Sequence, residues 1–472
     1  MSKVIVIGGG IAGLTAAFRL RESGCEVLIL EEQECSGGNI RTKVFEDFRL
    51  ELGPSSFMGS SEMLWHLITE LGIEDRVEAA SASSNNRYIL RDGRLSPLPM
   101  SAISFITTPL LSLKAKLRLA CEPFVRGKPD KYDTAWDFFV RRFGEEAATY
   151  IMSPFVSGIY AGDVKKLGAR AAFPLFWQFE QDAGSMILGA RKYLKKKRKR
   201  LLREGLPLRK GLFNFRGGLG YVTTKLAQNL SEQLVTSCPV ETLSYIPNSS
   251  SSANAKSSSQ SGYVLRSGER QFTADAVILA IPPDKAGPLL GQILPQGQQI
   301  MSVISMSPVM LVHWTPQEDS DYFPSGFGFL VPRLYDLRVL GTIFASQLFT
   351  ERSPKDRCLF SSFYGGTHDV DALNIPDEDI PELVMSEHQR IFGRNLKPPR
   401  ILKVYRYPTA IPQLGPEHLE NIAALTQHIT TIPGLFLAGN YLSGVGIEHA
   451  VSSGYRSATE CESFLQNKCR EQ

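Results

Sequence analysis

The spacing of hydrophobic and polar positions changes several times along this chain, and each change marks an element. Val4–Ile7 is an unbroken β-branched and aliphatic run, the pattern of a strand buried on both faces. A glycine-rich turn follows at residues 8–13, and from Leu14 to Leu20 the apolar residues recur at helical spacing. The stretch CEVLILEE, Cys25 to Glu32, then predicts a second strand. Ser60, Ser61 and Glu62 precede Leu64, Leu67, Ile68 and Leu71, which share one helical face closed by Gly72. Residues 86–99 alternate around Asp92-Gly93 and predict a hairpin. From Ser101 to about Arg203 the signals are helical and strands are scarce.

Leu212 to Leu230 carries another glycine turn before an amphipathic helix. Residues 249–262 are low in complexity, the composition of a loop joining two hairpin strands. Phe272 to Pro283 reads as a buried strand stopped by prolines. From about Leu289 to Ala424, strand-like runs alternate with turns and suit a mixed sheet bearing a pocket. Near the C-terminus the opening theme returns. Gly434 to Ala438 is strand-like, and Gly446 to Ser453 begins a helix with Ile447, Ala450 and Val451 on one side.

These elements predict an α/β fold. A Rossmann-like dinucleotide-binding domain is expected from the discontinuous segments 1–95, 212–290 and 433–472, a helical subdomain from 96–211, and a mixed-sheet substrate domain from 291–432. At 472 residues the chain is long enough for that number of units.

The first turn supplies the chemistry. Gly8, Gly10 and Gly13 form G-x-G-x-x-G directly between a strand and a helix. The first glycine permits the tight turn, the second lets a pyrophosphate approach the backbone, and the third lets helix and strand pack closely. The helix N-terminus offers free N–H groups and a positive dipole to phosphates. Glu31, at the end of the second strand, can accept hydrogen bonds from a ribose diol, and its charge repels a 2′-phosphate. Gly9, Ile11, Ala12 and Glu32 complete this candidate site. The next segment, CSGGNIRT, resembles the GG-x-x-R-T signature of the flavin amine-oxidase superfamily, through Gly37, Gly38 and Arg41. That likeness implies FAD beside the turn and the arginine. ELGPSSF, with Gly53, Pro54 and Ser55, is similar to that superfamily's strand and turn near the flavin.

Composition narrows the class. The chain is 43% hydrophobic and 21% charged, as in ordinary globular proteins. Its seven cysteines form no C-x-x-C pair, so a reducing, cytoplasmic setting is expected and no metal site. The formal charge of +4 is local: Arg191 to Arg203 holds nine basic residues and no acid, and without them the chain would stand at −5. This run reads either as a solvated helix face or as a contact for an anionic membrane or acidic partner. No interleaved aromatic platform accompanies it, so nucleic acid is not expected. The residue 102–113 stretch is too short to span a membrane and contains Pro109. It is expected either to dip into a membrane interface or to be core.

Over nearly its full length the chain resembles the protoporphyrinogen oxidase family, in the bacterial branch with the coproporphyrinogen III oxidases. SGIYAGDVKKL (157–167) with AAFPLFWQFEQDAGSMILG (171–189) carries the likeness best, and GFGFLVP, VLGTIFAS, FSSFYGG and AIPQLGPEHLENI agree in order. The resemblance implies FAD, a tetrapyrrole substrate, and six-electron oxidation of a porphyrinogen with oxygen as acceptor. It places Val240, Ala280, Gly439, Asn440, Val445, Gly446 and Ile447 at the cofactor. It places Arg87 at a substrate propionate, Gly158 in the pocket wall, and Leu330 and Phe363 against the macrocycle. Without that likeness, Arg87 reads as an edge-strand residue and Leu330 and Phe363 as core. A peripheral membrane contact and a homodimer are compatible with it.

Two positions depart from the family pattern: Gly168, where relatives often have serine, and Leu414, where an aromatic is common. The flavin carries the chemistry, so no catalytic acid or base is expected, and His449 reads as a surface or packing histidine. Other oxidases of the superfamily acting on amines or carotenoids, and non-enzymatic carriers resembling GDP dissociation inhibitors, are the competing readings.

Overall fold

The computed structural model describes residues 2–127, 129–247 and 262–470. Residues 249–261 of the low-complexity run lie outside these, although the strands flanking it, Thr242–Ile246 and Gly262–Ser267, pair antiparallel as expected.

Along the chain run β1 (Lys3–Ile7), α1 (Ile11–Glu22), β2 (Glu26–Leu30), α2 (Glu62–Glu70), β3 (Arg87–Arg91), β4 (Arg94–Pro97) and α3 (Ser153–Tyr160). Then come α4 (Met186–Arg203), β5 (Leu234–Val235), β6 (Ala276–Leu279), β7 (Met306–Thr315), β8 (Gly328–Leu330), β9 (Val339–Ile343) and β10 (Phe360–Gly365). The last are α5 (Ile380–Phe392), β11 (Arg400–Pro412), β12 (Leu435–Leu437) and α6 (Ile447–Arg470).

The first sheet is parallel, in the order β5-β2-β1-β6-β12. Val4, Val6 and Ile29 face one core with α1 and α6; Ile5, Ile7 and Leu279 face another. Burial on both sides is why these strands read as continuous apolar runs. Ile7, Leu279 and Leu437 stand in register, so three strands from distant parts of the chain end on one edge. α6 lies directly on α1, where a Cβ on Gly454 would sit 2.4 Å from the Ala12 carbonyl oxygen.

The second sheet has seven strands in the order β11-β7-β10-β9-β8-β3-β4, antiparallel except where β8 meets β3. Here the structure corrects three expectations. The 86–99 hairpin, which the expected boundary at 95/96 divides between the cofactor-binding segment and the helical subdomain, forms the edge of this sheet. The 272–283 run is not one strand: it divides at Asp275, which accepts from the Lys3 amide and pairs with Lys468, and only β6 enters the parallel sheet. The 289–424 region also includes α5, whose Ile380, Val384 and Ile391 seal one face of the sheet.

Residues 102–203 form the helical layer. Its centre holds a buried ion cluster in which Arg142 pairs with Glu122 and with Glu180. The Glu122 carboxylate accepts from Ser185 Oγ at 2.6 Å and from the Met186 amide at 2.8 Å, anchoring the start of α4. The 102–113 stretch divides: Ile103 and Ile106 are exposed, whereas Leu110 and Leu111 are core.

Candidate functional site

The shared edge of the parallel sheet collects the glycine turns. Gly8 has φ +106°, and a Cβ there would meet the Ala280 carbonyl oxygen at 2.6 Å. Gly13 packs against Gly8 and Ala280. α1 begins at Ile11 after Gly10 with no side-chain cap, and nothing within 4 Å fills the space a Gly10 side chain would take. Gly37 joins this turn, its amide donating to the Gly9 carbonyl at 2.7 Å, and Gly38 stands against Gly10. Glu31 is buried, accepting from the amides of Gly9 (2.5 Å) and Gln33 (2.9 Å). Glu32 is exposed and held by Lys285 at 2.6 Å, outside this cluster of bonds. Cys238 donates to the Glu31 carbonyl, which brings half-buried Val240 near the same rim.

Arg41 follows the second glycine pair. One guanidinium N–H donates to Cys35 Sγ at 2.9 Å, Nε is buried without a partner, and no carboxylate pairs with it among the described residues. An uncapped helix start, open space beside Gly10 and an unneutralised arginine together fit an anionic diphosphate.

The turn after Glu51 is held from two sides. The buried Glu51 carboxylate accepts from Thr42 Oγ1 (2.6 Å), the Leu219 amide (2.9 Å) and Asn214 Nδ2 (3.0 Å). Asn214 also donates to the Ser55 carbonyl at 2.7 Å. From the seven-stranded sheet, His313 Nε2 reaches the Glu51 carbonyl (3.0 Å) and the Tyr407 hydroxyl donates to the Leu52 carbonyl (2.7 Å). Gly53 fits close against Asn39, whose carbonyl oxygen would be 2.2 Å from a Cβ, while Pro54 is exposed. Burial lowers the His313 pKa to about 4 and raises that of Tyr407 to about 12. Sequence reasoning missed Glu51, Asn214, His313 and Tyr407 as supports; the only signal was polar residues set within otherwise apolar strand patterns.

At the C-terminal end, β12 leads through Gly439 to α6. The Gly439 amide donates to Ser453 Oγ (2.9 Å), and Asn440 Nδ2 reaches the Val445 carbonyl (3.4 Å). Gly446 is exposed, Ile447 packs into the α1–α6 core, and Val445 packs against the helical layer. His449 lies over Gly444 with its pKa lowered by burial, as expected of a packing histidine.

Of the residues expected at the substrate, Arg87, Leu330 and Phe363 lie on one face of the seven-stranded sheet. Register aligns Ile89, Leu330, Gly341, Phe363, Leu311 and Tyr405 in a single row across six strands. At usual strand spacing that row is about 24 Å long. Arg87 stands two residues before Ile89 on the same face, half-buried, with its guanidinium 5.2 Å from the Phe327 ring centre. Its Nε has no partner, it forms no ion pair among the described residues, and burial lowers its pKa. α3 crosses above: a Cβ on Gly158 would meet Leu330 Cδ2 at 2.5 Å, so these two expected pocket residues touch. Phe363 packs with Ala161, Val309 and Leu340. The two departures also prove to be neighbours. The Gly168 amide donates to the Leu414 carbonyl at 2.8 Å, and a Cβ on Gly168 would meet the Gly415 carbonyl oxygen at 2.5 Å.

Comparisons with known proteins agree with this geometry. The family model for flavin containing amine oxidoreductases matches residues 11–461. The mitochondrial protoporphyrinogen oxidase of Nicotiana tabacum is 29% identical, over 98% of this chain and 95% of that protein. The coproporphyrinogen III oxidase of Bacillus subtilis is 26% identical over 98% of each. A crystal structure of a candidate protoporphyrinogen oxidase from Exiguobacterium superposes with TM-score 0.79 at 23% identity, covering 98% of this chain and 99% of that one.

Proposed function

This chain belongs to the flavin containing amine oxidoreductase family, and within it we propose that the protein is a porphyrinogen oxidase. The reaction is FAD-dependent, oxygen-dependent six-electron oxidation of coproporphyrinogen III or protoporphyrinogen IX to the porphyrin in heme biosynthesis. One observation carries this reading: a row of mostly apolar side chains lies across one sheet face, with unpaired Arg87 near one end. A flat apolar ligand bearing carboxylates suits such a strip, because a guanidinium left without a protein carboxylate is free to form charge-assisted bonds.

Bound FAD supplies a two-electron acceptor that oxygen regenerates, so three turnovers complete the oxidation. The chain's own groups bind and orient. Gly8–Gly13, Gly37, Gly38 and Arg41 hold the diphosphate, Glu31 the ribose, Val240 and Ala280 the adenine side, and Gly53–Ser55 and Gly439–Ile447 the ring. Arg87 holds a substrate carboxylate, and Gly158, Leu330 and Phe363 exclude water and fix the plane of the macrocycle. Glu32, committed to Lys285, contributes charge at the rim. The corresponding division is a cofactor domain from the segments around 1–80, 212–290 and 433–472, with the 86–99 hairpin assigned to the substrate domain.

No helix among the described residues is long and apolar enough to cross a membrane. We assign the protein to the cytoplasm with peripheral contact to anionic lipid. The support is α4, which carries the basic run with Leu194 and Leu202 exposed, and the exposed Ile103, Ile106 and Phe124 elsewhere in the helical layer. Flotation with anionic liposomes at low salt tests this, and indifference to lipid charge ends it.

The decisive assay reconstitutes the protein with FAD and adds each porphyrinogen without oxygen, following loss of the flavin's visible band, then admits oxygen and follows porphyrin fluorescence. Bleaching by at least one porphyrinogen is expected. Bleaching by an amine or carotenoid alone favours another oxidase of the family, and failure to hold flavin favours a carrier.

A further inference from the structure

We infer that Glu448 is a positioning residue that braces the turn from Gly444 to Ile447 by capping a different helix. Glu448 is the second residue of α6, yet its carboxylate reaches α2, accepting from the amides of Met63 at 3.0 Å and Leu64 at 3.1 Å. These are orphan donors of the α2 first turn. Ser61, in the position from which a serine side chain ordinarily satisfies them, makes no side-chain cap bond. The bonds that cap α2 therefore come not from Ser61 but from Glu448, 387 positions later.

The arrangement is selective about charge. Glu448 is half-buried and makes no ion pair among the described residues; burial raises its pKa, and the two N–H bonds and the α2 dipole offset part of that desolvation. The neighbouring carboxylate, Glu62, is held away by Lys197 at 3.3 Å and by Arg200. The turn itself has few restraints. Gly444 and Gly446 offer no side chains, and the turn is otherwise held by Val445 on the helical layer, Ile447 in the α1–α6 core, His449 over Gly444 and the long Asn440–Val445 bond. Glu448 thus fixes the first turn of α6, and with it the direction of the Gly446 and Ile447 backbone N–H groups, against a helix anchored in the core by Leu64, Leu67 and Ile68.

The inference rests on the proposal that this turn meets the flavin. Its test reads cofactor binding alone, so failure of the porphyrinogen assignment leaves it standing. FAD titration of apoprotein is compared for the parent and for Glu448→Ala, Glu448→Gln and Glu62→Gln, with the visible absorption maxima of each complex recorded. Glu448→Ala is expected to weaken FAD about tenfold, the equivalent of about 1.4 kcal/mol, and to displace the maxima. Glu448→Gln, which keeps one acceptor oxygen, is expected to weaken it about threefold with a displacement in the same direction. Glu62→Gln is expected to match the parent. Parent-like affinity and maxima in both Glu448 variants overturn the inference, and so does an equal loss in Glu62→Gln, since that assigns the effect to a loosened α2. If Glu448→Ala fails to fold, Glu448→Gln against Glu62→Gln decides it. A parent that takes up no FAD instead refutes the cofactor assignment.

Discussion

The two faces of the seven-stranded sheet use alternate residues of the same strands to opposite ends. On one face Leu90, Met310, Val312, Trp314, Phe329 and Tyr364 pack under α5 and are closed to solvent. On the other, Arg87, Leu330, Phe363 and Tyr405 stay half-buried beneath α3 and beside the cofactor edge. Phe329 is core and Leu330 stands on the proposed site face; Phe363 stands on that face and Tyr364 is core. The lesson is that a binding surface gains rigidity when the reverse of each of its strands is fully packed. A slip of one residue in register would exchange the two sets. The same contrast separates two arginines of β3 on one face: Arg91 is neutralised by Glu146 at 2.9 Å and lies over Tyr150, whereas Arg87 has no such partner.

The strongest way to break the contrast is on the core face. Trp314→Ala removes a fully buried ring and its bond to Ser362, and should cost about 3–5 kcal/mol in denaturant unfolding. Phe363→Ala should cost less stability and act mainly on KM.

The next effect is pH-dependent and reports both faces. His313 on the site face and His388 on the core face are each buried, with pKa values lowered to about 4 from 6.5. The unfolded chain therefore binds more protons than the folded one between those values. Stability should fall as pH drops from about 6.5 to about 4 and level off below, by up to about 3 kcal/mol per histidine. Unfolding curves at pH 7, 5 and 4 measure it, and His313→Gln should flatten part of the slope.

Smaller still is the arginine pair. Arg87→Ala should raise KM for porphyrinogen about tenfold, leave flavin reduction at saturating substrate nearly unchanged and alter stability little. Arg91→Ala should do the reverse, lowering the melting temperature with KM preserved. The finest effect lies at the helix–sheet contact. Gly158→Ala should raise KM a few-fold by pushing on Leu330, and Leu330→Ala should relieve part of that loss, a coupling that a double-mutant cycle reads directly.

Legibility in the sequence was uneven for physical reasons. The turn at Gly8–Gly13 and the pair Gly37–Gly38 announce themselves because backbone conformation and close approach depend on the glycines themselves. Glu31 could be placed because it directly follows β2, which is separated from the end of α1 by only three residues. The α2 apolar face was equally clear, but its cap was not, since Glu448 arrives from the other end of the chain. The 86–99 hairpin was readable as a hairpin but not its place at the edge of the seven-stranded sheet, because nothing in its alternation states which strand it will join.

The sequence by itself determined the nucleotide-binding start, the helical middle, the returning glycine turn at the end and the family to which they point, all of which are written in short local patterns. Only the tertiary structure decided that Ile7, Leu279 and Leu437 end on one edge. It alone decided that Ile89, Leu330, Gly341, Phe363, Leu311 and Tyr405 form one row, and that Arg87 is left without a carboxylate. Those facts depend on pairing register between segments hundreds of residues apart, which follows from how the whole chain buries its apolar surface rather than from any stretch of it.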